Sequence, residues 1–252
     1  MRRGKAGGET LVLCYHAVSD SWPADLAVTP LQLRRQLEWL VRRGYRGVTF
    51  SEAVAAVPAG RTLVVTFDDA YLSVLELAYP ILFALGLPAT VFAVTDYVDA
   101  NRPLDWLGID HWRGGPHERE LRGMTWDQLG RLAAVGWEIG SHTCTHPRLT
   151  RLDDDALAIE LRESRASCER ALGRPCDSLA YPFGDFDARV AAAAGRAGYA
   201  AAAIEDLAPP APLTWPRVGI YRGNSMRRFR LKVSPALRRL RSASPRRVAV
   251  HA

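Results

Sequence analysis

Two adjacent carboxylates, Asp68-Asp69, follow the apolar run Thr62 to Phe67, and two histidines, His142 and His146, stand four residues apart just after Trp137 to Ser141. On a helical turn, i,i+4 spacing puts both imidazoles on one side, within reach of a single ion. Two histidines and one carboxylate are a common divalent-metal set that leaves positions open for water and substrate. Adjacent carboxylates at the end of an apolar strand repel one another and lose hydration. A cation relieves one of them, and the other can then work as a general base. Alone, either aspartate would read as a helix N-cap and either histidine as an ordinary surface or capping residue. Together they read as a metal-assisted hydrolytic site.

Elements that could position these residues alternate along the chain. Leu11 to Tyr15, Thr62 to Phe67, Ala89 to Val94, Trp137 to Ser141, Ser178 to Tyr181, Tyr199 to Ile204 and Arg217 to Tyr221 read as seven buried strands. Between them, helices are expected from the Thr29-Pro30 start to Gly44, over Tyr71 to Leu85 with Pro80 as a kink or break, over Thr125 to Val135, over Thr150 to Leu172 and over Phe186 to Ala197. Residues 96–123 carry Trp106, Trp112 and Gly114-Gly115 without periodicity and read as a long, functional loop; 208–216 is a Pro-rich loop. Alternating strands and helices predict a parallel α/β arrangement, closed or nearly closed into a barrel. Its ligand site belongs at the C-terminal strand ends. The chemical residues do follow strands: His16 the first, Asp68-Asp69 the second, His142 the fourth, and Tyr181-Pro182-Phe183-Gly184 the fifth.

The 252 residues are 48% hydrophobic and 24% charged, which excludes disordered, collagen-like and disulfide-scaffold classes. Cys14, Cys144, Cys168 and Cys176 form no Cys-x-x-Cys pair and read as buried thiols or surface accidents. No apolar run reaches membrane-spanning length, and Leu11 to Tyr15 is too short for a signal-peptide core. A cytoplasmic or membrane-peripheral location is therefore expected, with an extracellular one as the alternative. Residues 217–252 hold eleven Lys/Arg and no Asp/Glu, leaving 22 basic against 27 acidic residues before them. This asymmetry points the basic C-terminal segment at an anionic membrane surface. No base-reading motif accompanies the charge, so nucleic acid is not expected.

Thr66-Phe67-Asp68-Asp69-Ala70-Tyr71 resembles the Thr-Phe-Asp-Asp-Gly motif of the NodB-type polysaccharide deacetylases, carbohydrate esterase family four. Ser141 to Pro147 is similar to their second motif, and Ala180-Tyr181-Pro182-Phe183-Gly184 to their third. The resemblance spans about residues 10 to 221. It implies a single-domain, deformed (β/α) barrel and metal-dependent removal of N-acetyl groups from N-acetylated carbohydrate. By that resemblance Asp68 is the base, and Asp69, His142 and His146 bind the metal, Zn²⁺ first and Co²⁺, Ni²⁺ or Fe²⁺ as alternatives. The Tyr181 N–H helps hold the oxyanion, while Pro182, Phe183 and Gly184 shape the groove.

Three departures accompany it. Ala70 replaces the family's Gly, a mild change if the backbone there is unstrained. Ser178 stands where the third motif usually opens with Arg, and Arg217 is the candidate to orient Asp68 instead. The family's late Leu-x-His has no counterpart except His251 near the chain end. Leu13-Cys14-Tyr15-His16 supplies a substitute: it resembles the Tyr-His segment of the branch acting on poly-β-1,6-N-acetylglucosamine, whose barrel is circularly permuted. On that reading His16 is the general acid. A fourth, Asp-near-Trp motif has only Asp206 and Trp215 as loose candidates. The expected layout is a flexible N-terminus over 1–9, the deacetylase domain over 10–222 and a basic helix or tail over 223–252. Alternatives are a deacylase of a glycolipid or small N-acetylated metabolite, or a non-catalytic carbohydrate binder using Trp106, Trp112 and Phe183 as sugar platforms.

Overall fold

Apolar, β-branched runs with no polar face can only be strands covered on both sides. In the computed structural model, which describes residues 8–56, 60–204 and 210–242, they are. Strand β1 (Glu9–Tyr15) is followed by the short β2 (Ala17–Val18), β3 (Ala27–Val28) and β4 (Arg46–Val48), then by β5 (Arg61–Phe67). After these come β6 (Thr90–Ala93), β7 (Glu138–Ser141), β8 (Ser178–Ala180), β9 (Ala201–Ile204), β10 (Trp215–Pro216) and β11 (Val218–Gly219). The parallel order runs β10-β9-β8-β7-β6-β5-β1-β11, with β4 beside β5. The two ends of that order are separated in sequence by Arg217 alone. One segment, 215–219, thus pairs with β9 on one side and β1 on the other, and it closes the barrel. β1 and β5 are locked in register from Glu9↔Arg61 to Tyr15↔Phe67.

The period of two along each strand sorts side chains between two cores. Leu11, Leu13, Leu63, Val65 and Phe67 point outward to the helices. Val12, Val64, Phe92, Ala180, Ala201 and Ala203 fill the barrel interior, where small alanines on β8 and β9 leave room for the edge-on rings of Phe50 and Phe92. Gly140 is required here: a Cβ would meet Ser178 Oγ at 2.5 Å and the Phe92 ring at 2.7 Å.

The helices start and stop where caps dictate. α1 (Pro30–Val41) has a capping box between Thr29 and Gln32. α2 (Phe50–Ala55) is a short helix that plugs the barrel bottom with Phe50. The expected helix over Tyr71 to Leu85 is present as a continuous helical run over 72–84, with a wide π-type turn at Val74–Ala78 that passes directly into α3 (Tyr79–Ala84). Pro80, expected as a kink or break, lies directly after this wide turn, where the helix changes its hydrogen-bond pattern. α4 (Trp126–Ala134) and α5 (Asp154–Leu172) follow; Asp153 caps α5, and Gly173 at φ 64° ends it. α6 (Ala188–Arg196) is capped by Asp187.

The segment expected as a basic helix or tail begins with two helices. α7 (Met226–Lys232) and α8 (Pro235–Ser242) pack onto the barrel. Phe229 is fully buried and meets Trp39 of α1 edge-on, 6.1 Å between ring centroids, and Arg238 donates to the Thr10 carbonyl at 2.9 Å and to Glu9. At the other end Glu9 already belongs to β1, while residues 1–7 and 243–252 lie outside the described residues. All four cysteines are buried and unbridged. Among the described residues, no helix is long and apolar enough to cross a membrane.

Candidate active site

The interior-facing parity of β5 runs Val64, Thr66, Asp68, so the strand itself aims Asp68 into the barrel mouth. Arg217 meets it from the closing segment: Nη1 lies 2.6 Å from Oδ1 and Nη2 2.8 Å from Oδ2, with a further 2.9 Å bond from Nη1 to Thr66 Oγ1. Cys14 Sγ, on the same interior parity of β1, donates to Asp68 Oδ2 at 3.4 Å. Burial pushes the Asp68 carboxyl up. The guanidinium of Arg217, helped by His142 and His16, outweighs this and holds it well below the usual carboxylate range. The expected pairing of Arg217 with Asp68 is therefore present as a buried, bidentate ion pair.

Asp69 turns away from Asp68 because the strand ends in two left-handed residues, Asp69 (φ 70°) and Ala70 (φ 53°). Ala70 thus occupies the conformation that favours glycine, so the condition for its replacement of the family's Gly to be mild, an unstrained backbone, is not met. The turn brings Asp69 Oδ1 to 3.5 Å from Nε2 of both His142 and His146. The loop 142–146 is no helical turn: Thr143 (φ 69°) and His146 (φ 62°) are both left-handed, and the rings converge at 4.8 Å between centroids. Thr143 Oγ1 accepts from the His146 N–H at 3.1 Å. Glu160 of α5 accepts from the Cys144 N–H (2.8 Å), the Thr145 N–H (3.0 Å) and Thr145 Oγ1 (2.6 Å).

These residues fit a divalent cation. Burial lowers the His142 imidazole to about 4, against the pull of Asp68, and lowers His146 well below the usual range, with His142 adding to the effect. His142 Nδ1 lies 2.8 Å from the Ala180 carbonyl; a neutral ring donating there turns its Nε2 lone pair toward Asp69. A lone pair and a carboxylate oxygen facing each other in a buried site repel unless a cation lies between them. The carbonyl-anchored imidazole is the second-shell arrangement metal-ligating histidines use. The three donor atoms lie within 4.8 Å of one another.

A cavity of about 260 Å³ opens above this floor. His16 lines it, half-buried, with Nδ1 buried and without a hydrogen-bond partner, 6.3 Å from the stacked ring of Tyr221. His16, Cys14 and Asp68 also gather donor atoms within 4.8 Å. Tyr181, Phe183 and Gly184 line the wall, whereas Pro182 is buried and does not. The Tyr181 N–H is already donated to the Ala203 carbonyl at 3.3 Å, so the oxyanion role expected of it requires sharing that donor. A larger cleft of about 510 Å³, beside Tyr97 and Arg122, gathers no comparable set of acids and histidines.

Cys14 and Glu160 had no site role in the sequence reading, whereas Trp106 and Phe183, read there as sugar platforms, flank His146. Trp106 stacks on His146, 4.2 Å between centroids, and Phe183 meets the same ring edge-on at 4.5 Å. Trp112, expected with them, instead packs edge-on against buried Trp22. Trp215 packs on the interior core, and Asp206 lies outside the described residues, so the loose fourth-motif candidates do not meet here. Cys14 could have been read from the strand parity that joins it to His16. Glu160 left no local signal, since it acts across fifteen residues.

The chain is similar to known proteins in sequence and in fold. YxkH of Bacillus subtilis (strain 168) is 25% identical over 193 residues, 75% of this chain and 61% of that protein. The poly-β-1,6-N-acetyl-D-glucosamine N-deacetylase of Escherichia coli (strain K12) is 34% identical over 152 residues, 53% of this chain. The chain thus spans less than two thirds of YxkH and only 20% of the E. coli protein. The Streptococcus pyogenes deacetylase PplD, solved in complex with acetate, superposes with a TM-score of 0.76 over 91% of this chain and 100% of that one, at 22% identity. The family described as polysaccharide deacetylase matches residues 56–202, a range that begins ahead of β5 and ends within β9, and with it the paired aspartates and both histidines. On that match, the chain belongs to the polysaccharide deacetylase family.

Proposed function

We propose that this protein is a metal-dependent N-deacetylase of N-acetylglucosamine-type carbohydrate. The observation that carries this reading is two dissimilar half-sites on one cavity floor: Asp69 with His142 and His146, and Asp68 with Arg217. The poly-β-1,6-N-acetyl-D-glucosamine N-deacetylase of E. coli supports the substrate class.

Asp69, His142 and His146 would hold the ion, with Zn²⁺ favoured by a mixed nitrogen and oxygen set. A divalent ion there supplies Lewis-acid polarisation of an acyl carbonyl and a lowered pKa for water. Asp68, kept ionised by Arg217, takes the proton of the water that adds to the acetyl carbon. Each carboxylate oxygen accepts more than one hydrogen bond, so the Arg217 pairing leaves Asp68 room for that water. His16 delivers a proton to the sugar nitrogen as the C–N bond breaks, leaving acetate and a free amine. The Tyr181 N–H, shared with Ala203, faces the developing oxyanion. Trp106 and Phe183 offer aromatic faces to the sugar and shield the His146 side from water.

Metal content by mass spectrometry, with acetate release from N-acetylglucosamine oligomers, tests this on wild type and Asp69→Ala. One ion per chain, lost in the variant together with acetate release, is expected. Metal without acetate release would reject the substrate class and keep the site. No metal in the wild type after adding Zn²⁺ would overturn the reading.

A further inference from the structure

The turn after α1 and the start of α8 face each other across a second concavity of about 230 Å³. It lies at the opposite end of the barrel from the catalytic cavity. Arg61, on its wall, opens β5, whereas Asp68 follows the last residue of that strand. Seven residues of strand, roughly 20 Å, separate them.

Cations crowd this cleft. Trp39 carries two guanidinium groups, Arg43 at 3.6 Å and Arg230 at 5.6 Å from its ring centroid. They therefore stand less than about 10 Å apart, within one Debye length at 0.1 M salt. Arg61 stands 5.8 Å over Tyr45. Among the described residues neither Arg43 nor Arg230 has a carboxylate within ion-pair distance. The nearby acids are taken: Glu9 by Tyr45, Arg61 and Arg238, and Glu38 by Arg42 at 2.9 Å. Like charges this close repel, and stacking on the aromatic faces fixes them in place rather than letting them swing apart. On the helices that flank the cleft, Arg34 and Arg35 of α1 and Arg227 and Arg228 of α7 are exposed as well.

We propose that this cleft binds a phosphate-bearing anion, with Arg43 and Arg230 as its paired donors. Guanidinium groups take phosphate oxygens through two parallel bonds, and a volume of this size admits a phosphate and the carbon skeleton attached to it. The sequence placed the anionic partner on the terminal basic segment; the structure assembles its site from α1, β5 and α7 together. Because the catalytic mouth opens at the other end, the ligand is an anchor and not a substrate. The proposal does not depend on the catalytic assignment.

The same chemistry has two sources, a lipid headgroup or a soluble phosphate, and the test separates them. The full chain is sedimented with mixed phosphatidylglycerol/phosphatidylcholine vesicles and with pure phosphatidylcholine vesicles, and titrated with inorganic pyrophosphate. Wild type should bind the anionic vesicles, the pyrophosphate, or both, and lose affinity as salt rises. Arg43→Gln/Arg230→Gln should bind about tenfold or more weakly at unchanged acetate release and circular dichroism. Arg162→Gln/Arg170→Gln on α5, with the same charge loss, should bind as wild type. Binding to vesicles alone assigns a headgroup; binding to pyrophosphate assigns a phosphate pocket proper. Absence of binding to both probes overturns the proposal. So does a first variant that binds as wild type, or a control variant equally impaired.

Discussion

The two halves of the catalytic floor are built by different means. The Asp68 half extends strand geometry: Asp68 continues the interior parity of β5, Cys14 that of β1, and Arg217 sits in the segment that closes the barrel. No left-handed residue is needed. The Asp69 half is built from departures: Asp69, Ala70, Thr143 and His146 all have positive φ without being glycine. Left-handed residues of this kind cost of order 1 kcal/mol each and persist only where neighbours over-determine them. Thr143 and Glu160 supply that support. A proton acceptor can stand on a rigid strand end, whereas three ligands from two loops converge on one ion only if both loops bend sharply.

The sharpest way to break this comparison is to change one aspartate at a time. Asp69→Ala should lose both the ion and turnover. Asp68→Asn should keep the ion and lose about 10²–10⁴-fold in kcat, the range general-base catalysis supplies. Metal analysis and kinetics on the same samples check this; an active Asp68→Asn would reverse the two roles.

Arg217→Met should come next in size. It leaves a buried carboxylate uncompensated, a loss of about 3–5 kcal/mol in unfolding free energy near neutral pH. The sign also changes with pH. In the wild type the Asp68 carboxyl is depressed, so its contribution is present above the unfolded value of about 3.9 and is lost as pH falls below it. Without Arg217 burial dominates, the carboxyl rises, and the contribution is lost as pH increases. Denaturation across pH 3 to 7 would show the two slopes. Parallel slopes would remove Arg217 as the group that sets Asp68.

Glu160→Gln acts on the other half. It replaces an acceptor-only carboxylate under two N–H groups and one hydroxyl, and it should weaken metal affinity by about 10–100-fold, as second-shell losses do. kcat at saturating metal should be kept, which a general loss of folding would not allow. The smallest effect is Ala70→Gly. Relief of the φ 53° strain, less the added freedom of the unfolded chain, should stabilise by about 0.5–1 kcal/mol with activity kept. A lower melting temperature would mean that the alanine methyl, 2% exposed, packs better than its backbone is strained.

Much of this was legible beforehand because it is local. Parallel strands buried on both faces announce themselves as apolar runs, and the C-terminal end of each run names the residues that face the mouth. Capping residues gave the starts of α1, α4 and α5 within a few residues. The histidine pair was legible as a pair but not as a shape. Residues 142–146 were expected on a helical turn, since i,i+4 spacing suits one, and two left-handed residues achieve the same convergence by another path. The wide turn at 74–78 and the short elements β2, β3, β4 and α2 left too few periodic positions to be seen.

The sequence by itself determined that seven apolar segments would alternate with helices and that two aspartates and two histidines would end strands, with His146 four residues beyond, because side-chain period and capping are properties of adjacent residues. Tertiary structure decided how these roles are built: that left-handed turns bring Asp69 to both histidines, that Arg217 closes the barrel as it clamps Asp68, that Glu160 braces a loop fifteen residues away, and that Arg43 and Arg230 share one tryptophan. Those choices depend on backbone turns and on contacts between segments far apart in the chain, and no window of sequence contains both partners.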